Sequence, residues 1–258
     1  MSSTRSPRRA FLARSLAGMS ALVLAGCDRV TTSDWFKQAT RLSEDLSRTV
    51  HRALGGRTAM AQEFTDADLS PSFRSNGTAN PANPVYQSLA AKGFEDWRLK
   101  IDGLVERPLE LSLAELRALP ARTQITRHDC VEGWSAIGKW TGVPLREVLE
   151  RAQVKPNAKY VMFWCADPME QGGRTPYYES VDLDDAYHPQ TILAYALNGQ
   201  TLPVANGAPL RLRVERQLGY KQAKYLMHIE LVENFAQLRG GKGGYWEDVA
   251  GYQWYAGI

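Results

Sequence analysis

The chain has 258 residues, 44% of them apolar, 10% aromatic and 23% charged, which excludes a disordered tail, a collagen or a zinc-finger array and allows one large core or two small ones. The net charge of +3 sits at the N-terminus: Arg5, Arg8, Arg9 and Arg14 are the only charges before Cys27, and taking those four from the 31 Lys and Arg leaves 27 against 28 Asp and Glu. So even a balance excludes a general electrostatic grip on nucleic acid, and three cysteines are too few for a disulfide-built scaffold.

Residues 1–27 read as an export address. Arg8-Arg9 followed by Phe11-Leu12 resembles a twin-arginine signal, and the apolar run from Leu16 to Gly26 is too short to span a bilayer as a helix. Leu24-Ala25-Gly26-Cys27 resembles a bacterial lipobox, so Cys27 is the expected lipidation site and first residue of the mature chain. Several acyl chains there would anchor the protein on the periplasmic side of a membrane, and Asp28 favours the inner one.

Residues 28–92 are expected to form an amphipathic leader and wrapping segment. Trp35, Phe36, Ala39, Leu42, Leu46, Val50 and Leu54 recur at helical spacing, with Asp34 as a cap and Gly55-Gly56 as the stop. Residues 65–96 are rich in Pro, Asn, Ser and Gly and read as a long draped segment. The body, residues 93–258, begins with Trp97, Leu99 and Ile101 alternating as on a half-buried strand. Ser112 to Glu115 is a capping box opening a short helix that Pro120 stops. Thr123 to Arg127 reads as a strand leading to Cys130, Pro144 to Ala152 as a helix with Pro144 in its first turn, and Val161 to Cys165 as a buried strand. Leu183 to Leu197 reads as helical stretches broken at Pro189, before the turn Asn198-Gly199; Leu210, Leu212 and Val214, and then residues 226–231, alternate as strands. With no strand–helix–strand repeat, no glycine-rich nucleotide loop and no serine elbow, the fold class is a mixed, strand-rich α+β domain.

The run Arg127-His128-Asp129-Cys130-Val131-Glu132-Gly133-Trp134 carries the chemistry. A Cys beside Arg and His can be a nucleophile, a soft-metal ligand or half of a disulfide with Cys165. No Cys/His set has zinc spacing. A metal held by one protein thiolate needs its other ligands from a cofactor, and a molybdenum–pyranopterin group supplies two sulfurs.

Across residues 94–233 an ordered series of segments resembles the molybdenum-cofactor domain of the sulfite oxidase family, and more closely its bacterial periplasmic methionine-sulfoxide reductases. The series begins at Trp97 to Gly103 and continues through Arg127 to Trp134, Trp140 to Leu145 and Leu183 to Pro189. Asn198 to Pro203, Asn206 to Arg211 and Gly219 to Lys224 complete it, and Gly244-Tyr245-Trp246 and Gly251-Tyr252 look like the family's tail. The resemblance implies a sulfite oxidase-type molybdopterin-binding domain carrying molybdenum-molybdopterin (Mo-MPT), with Cys130 as the thiolate ligand to the metal. It implies Arg213, Lys221 and Lys224 on the cofactor's phosphate, Asn206 and Asn83 on the cofactor, and His128 as a donor to substrate oxygen or pterin. Cys165 is expected to be a free buried thiol, and His188 can simply bind the adjacent backbone.

The chain departs from the family at Glu215-Arg216-Gln217-Leu218, where a proline-aromatic-basic run is usual. It has no haem-binding Cys-x-x-Cys-His and nothing like the immunoglobulin-like domain that joins sulfite oxidase dimers. The expectation is therefore a monomer that exchanges electrons with a separate haem or cytochrome partner. The expected reaction is two-electron oxygen-atom transfer, with reduction of a small-molecule or protein sulfoxide favoured. A sulfite dehydrogenase of the same fold is one alternative, and a lipoprotein that binds without catalysis is another.

Overall fold

A computed structural model describes residues 33–55, 58–169 and 175–258. The expected export signal and Cys27 lie outside the described residues. The chain divides into two compact units, residues 1–51 and 52–258.

Helix α1 (Asp34–Gly55) supplies most of the described part of the first unit. Its apolar stripe is the one the spacing predicts, and Trp35, Leu42 and Leu46 on it are exposed. Among the described residues no helix is long and apolar enough to cross a membrane.

The second unit is a mixed α+β fold of two five-stranded sheets. The first is ordered β2 (Leu109–Ser112), β1 (Arg98–Gly103), β10 (Leu226–Val232), β5 (Tyr160–Pro168) and β6 (Pro176–Asp182). Its one parallel pairing joins β1 to β10, near the two ends of the domain sequence. Period-2 alternation sends Leu99, Ile101, Ile229 and Leu231 into the core. The core side is closed by α4 (Leu145–Ala152), which buries Leu145, Val148 and Leu149 on one stripe. Pro144 precedes this helix as its N-cap residue instead of sitting inside the first turn. The capping box predicted at Ser112 is present: its hydroxyl accepts from the Glu115 amide at 3.1 Å, and Glu115 Oε2 accepts from the Ser112 amide at 2.8 Å, opening α3 (Leu113–Arg117).

The second sheet runs β3 (Arg122–Cys130), β4 (Trp134–Pro144), β7 (Ile192–Leu197) and β8 (Gln200–Thr201), with β9 (Arg211–Arg213) on β7. Two expectations change here. Helix persists only in α5 (Leu183–Ala186), while Ile192 to Leu197 is a strand held between β4 and β9. A short apolar run fits a buried strand or a buried helix equally, and strand pairing decides it. In β9 all three residues are buried, so Arg211 and Arg213 point into protein where alternation would send them to water. Within the segment read as draped, α2 (Pro84–Ala91) forms, with Pro84 in its first turn.

Candidate active site

Cys130 is the last residue of β3, at the tip of the hairpin with β4, paired with Trp134. The two strands are joined by Val131 to Gly133, and Gly133 takes φ +83°, a conformation that side chains resist. A long two-stranded ribbon thus carries the Cys130 thiol at its end. Burial pushes the Cys130 thiol up, partly offset by a backbone hydrogen bond at Glu132.

The hairpin tip opens into a cleft of about 230 Å³. Five further segments complete the cleft: Asn76 to Thr78, the end of β5 at Asp167 and Met169, Tyr177 on β6, the stretch Gly219 to Lys224, and Trp246 with Tyr252 from the C-terminal tail. Asp167 is buried and its Oδ1 has no hydrogen-bond partner. Burial pushes its carboxyl up to about 6.

Lys224 lines the same cleft. Its ammonium donates to the carbonyls of Asn76 (2.6 Å), Thr78 (2.5 Å) and Ala205 (3.2 Å). Burial, and then the charge of Arg211, lower it to about 7. Arg211 is fully buried, donates to the carbonyls of Asn206 and Gln222, and leaves Nε without a partner; burial, then Arg213, lower it to about 9. Among the described residues neither cation has a carboxylate in salt-bridge contact. Gly207, at φ +112°, separates them: a Cβ there would lie 3.0 Å from Lys224 Cβ and 3.2 Å from Arg211 Cβ.

The other residues singled out in the sequence lie elsewhere. Arg213 is buried in a salt bridge to Glu215, through Nη2 at 2.5 Å and Nε at 3.0 Å. Its Nη1 donates to His128 Nδ1 at 3.0 Å. A guanidinium can only donate, so that ring nitrogen accepts and the imidazole proton belongs on Nε2, which has no partner. Burial, and then Arg213, hold His128 well below the usual range. The ring lies directly under Gly219, where a Cβ would meet Cε1 and Nε2 at 2.5 Å. His128 therefore supports a cleft-lining segment from beneath.

Lys221 is fully buried between Glu179 and Glu247. Burial works against its charge, but the two carboxylates outweigh it and raise the lysine, while burial and the neighbouring Glu247 push Glu179 well up. Asn83 caps α2: its Oδ1 accepts from the Val85 and Tyr86 amides and its Nδ2 donates to Ala166 O. Asn206 is buried, with Nδ2 3.5 Å from Phe73 O. Cys165 is a buried free thiol, and His188 bonds the backbone at Ala59 and Gln190.

The unusual segment 215–218 turns inward. Glu215 meets Arg213, Arg216 and Gln217 meet Asp185, and the Leu218 amide donates to Ala256 O. Sequence reading passed over Arg211 and Asp167. Arg211 stands inside the quoted Asn206-to-Arg211 motif, and Asp167 is the charge that ends the apolar run of β5.

Residues 86–238 match the family described as oxidoreductase molybdopterin binding domain. The chain belongs to this family. It is thus a molybdopterin-dependent oxidoreductase, related to the sulfite oxidase and methionine-sulfoxide reductase type. A protein of Azospira oryzae described as "Putative protein-methionine-sulfoxide reductase subunit YedZ1" is 37% identical over 97% of this chain and 87% of its own length. The protein-methionine-sulfoxide reductase catalytic subunit MsrP of Xanthomonas campestris is 44% identical over 58% of the chain, and the match spans half of that relative's length. The sulfane dehydrogenase SoxCD of Paracoccus pantotrophus, a crystal structure, is similar at 25% identity with a TM-score of 0.49, over 54% of this chain and 39% of that one.

The residues present fit a molybdopterin group. Among the described residues no three His, Cys, Asp or Glu side chains are grouped to hold a metal ion, so a metal at Cys130 would take its remaining ligands from the cofactor. Lys224 in the cleft lining and Arg211 fully buried behind it are cations without a carboxylate partner and match the charge of the cofactor's phosphate. The unpartnered Asp167 Oδ1 is an acceptor for a ring edge rich in N–H groups.

Proposed function

We propose that this oxidoreductase reduces a sulfoxide, free or within a protein, by two-electron oxygen-atom transfer on the periplasmic side of the bacterial envelope. Cys130 is the thiolate that holds the metal. Lys224 and Arg211 hold the phosphate, with Asn206 contributing its carbonyl to the orientation of Arg211. Arg213 and Lys221 act behind the cleft, through Glu215 and through Glu179 with Glu247. When bound, the Mo-MPT group supplies the oxygen-atom chemistry. The chain's part is to bind that group, orient the sulfur of the substrate and exclude bulk water. The cleft walls serve the last task, and His128 under Gly219 keeps one of them in place.

The observation that carries the choice of substrate is the charge of the cleft. Its described lining offers the carboxyls of Glu132 and Asp167, aromatic rings, and one lysine, Lys224. With that lysine on the cofactor's phosphate, an oxyanion such as sulfite would meet no further cation among these residues, whereas a neutral sulfoxide has no such need. Reducing equivalents come from a separate haem or cytochrome partner. A lipid on Cys27 keeps the protein, as a monomer, beside a membrane-bound donor.

Purified protein is assayed for molybdenum and pterin, then for turnover of sulfoxides with a reduced dye and of sulfite with an oxidised one. One molybdenum per chain and sulfoxide turnover are expected, and Cys130→Ser loses both. Protein without molybdenum, or turnover of sulfite alone, overturns the proposal.

A further inference from the structure

The C-terminal tail builds one side of the cleft. Trp246, in α6 (Tyr245–Ala250), and Tyr252 beyond it line the same cavity as Cys130. Their rings stack at 5.8 Å and 26°, and Tyr252 meets Tyr220 edge-on at 5.1 Å. Two separate chain segments therefore make one aromatic wall, with Tyr252 37% exposed at its rim.

The wall is fastened from behind. Lys221, the neighbour of Tyr220, bridges Glu179 on β6 to Glu247 on α6, and all three side chains are buried. A Cβ on Gly244 would lie 2.1 Å from Glu247 Oε2, so the glycine is what lets this carboxylate fold back. Tyr178 donates to Asp248 at 2.5 Å, Trp254 Nε1 donates to Ser180 Oγ at 2.8 Å, and the Tyr220 hydroxyl donates to Gln253 O at 2.6 Å. A buried ion bridge and three part-buried hydrogen bonds on a terminal segment fix the ring positions relative to Cys130. Aromatic faces of this kind stabilise an apolar or aryl group by burial and ring stacking, and do nothing for a small oxyanion.

We propose that Trp246 and Tyr252 form the specificity subsite for the apolar group attached to the substrate's sulfur, set in place by Lys221 bridging Glu179 and Glu247. The assignment rests on the sulfoxide reading and adds to it the residues that choose among sulfoxides. It is tested on the molybdenum-loaded protein by calorimetric titration with methyl phenyl sulfoxide and with dimethyl sulfoxide. Molybdenum and pterin are measured on the same samples.

Trp246→Ala and Tyr252→Ala are each expected to weaken the aryl sulfoxide about 10-fold and dimethyl sulfoxide less than about 3-fold. Trp246→Phe restores most of the aryl binding. Should Trp246→Ala lose its cofactor, Tyr252→Ala and Trp246→Phe carry the comparison. Equal losses for both ligands, unchanged binding in the variants, or a wild type that binds the aryl ligand no better than dimethyl sulfoxide overturns the subsite. Selective binding without turnover leaves the subsite standing and overturns the reductase reading. Turnover with unchanged selectivity in the variants does the reverse.

Discussion

Glu215→Gln removes one charge and almost no volume from the protein interior. Arg213 and Glu215 are both fully buried, joined through Nε and Nη2, and Glu215 Oε1 also accepts from Gln124 Nε2 at 2.8 Å. The guanidinium cannot shed its proton, so the variant leaves a buried cation facing a neutral amide. Removing one partner of such a pair costs about 3–5 kcal/mol, a large share of the ~5–15 kcal/mol that holds a domain together. For a unit of this size that corresponds to a fall of roughly 6–20 °C in Tm. Urea denaturation followed by far-ultraviolet circular dichroism and tryptophan fluorescence measures it. The double variant Arg213→Met/Glu215→Leu removes both charges at similar volume and is expected within about 1–3 kcal/mol of wild type, the remainder being the unsatisfied His128 Nδ1. A single variant that loses less than about 1 kcal/mol, or a double variant no better than the single, would refute the account of segment 215–218 as an internal ion pair.

Gly219→Ala drives a methyl into the His128 ring at 2.5 Å; it is expected to cost about 1–3 kcal/mol and to lower molybdenum content, read by metal analysis of the purified variant. Lys224→Met and Arg211→Met should each retain less pterin than wild type, measured by release of the fluorescent pterin. Asp167 is raised from 3.8 to about 6, so the folded state holds the extra proton across that window and stability falls as pH rises through it. Asp167→Asn should flatten that fall in denaturation curves of the cofactor-free protein taken between pH 4 and 6.5; an unchanged slope would show that the carboxyl titrates as it does in water.

The elements with local signals were legible in the sequence. The Ser112 capping box, the alternation at Leu99 and Ile101 and the amphipathic α4 each depend on neighbours within a few residues. The strand at 192–197 was not, because its helix-or-strand choice rests on partners some fifty residues upstream in β4 and twenty downstream in β9. The same division runs through the site. Cys130 and Lys224 were singled out from the sequence and both line the cleft. The basic residues around Lys224 could not be sorted by type: Arg213 and Lys221 look as suitable for a phosphate as Arg211 does. Only the fold shows that Glu215, Glu179 and Glu247 already neutralise them.

Composition and motif alone determined that the positive excess lies within the first 27 residues, that the body is electrically balanced, and that the chain resembles a molybdopterin-binding domain, a resemblance that implies Cys130 as its thiolate. Tertiary structure decided which charges are spent and which remain. An ion pair between Lys221 and Glu247 joins residues 26 positions apart, and no local rule of spacing foretells it; buried charge must find a partner wherever the fold brings one. Arg211 and Lys224, bonded to carbonyls, are left without a carboxylate beside the cleft.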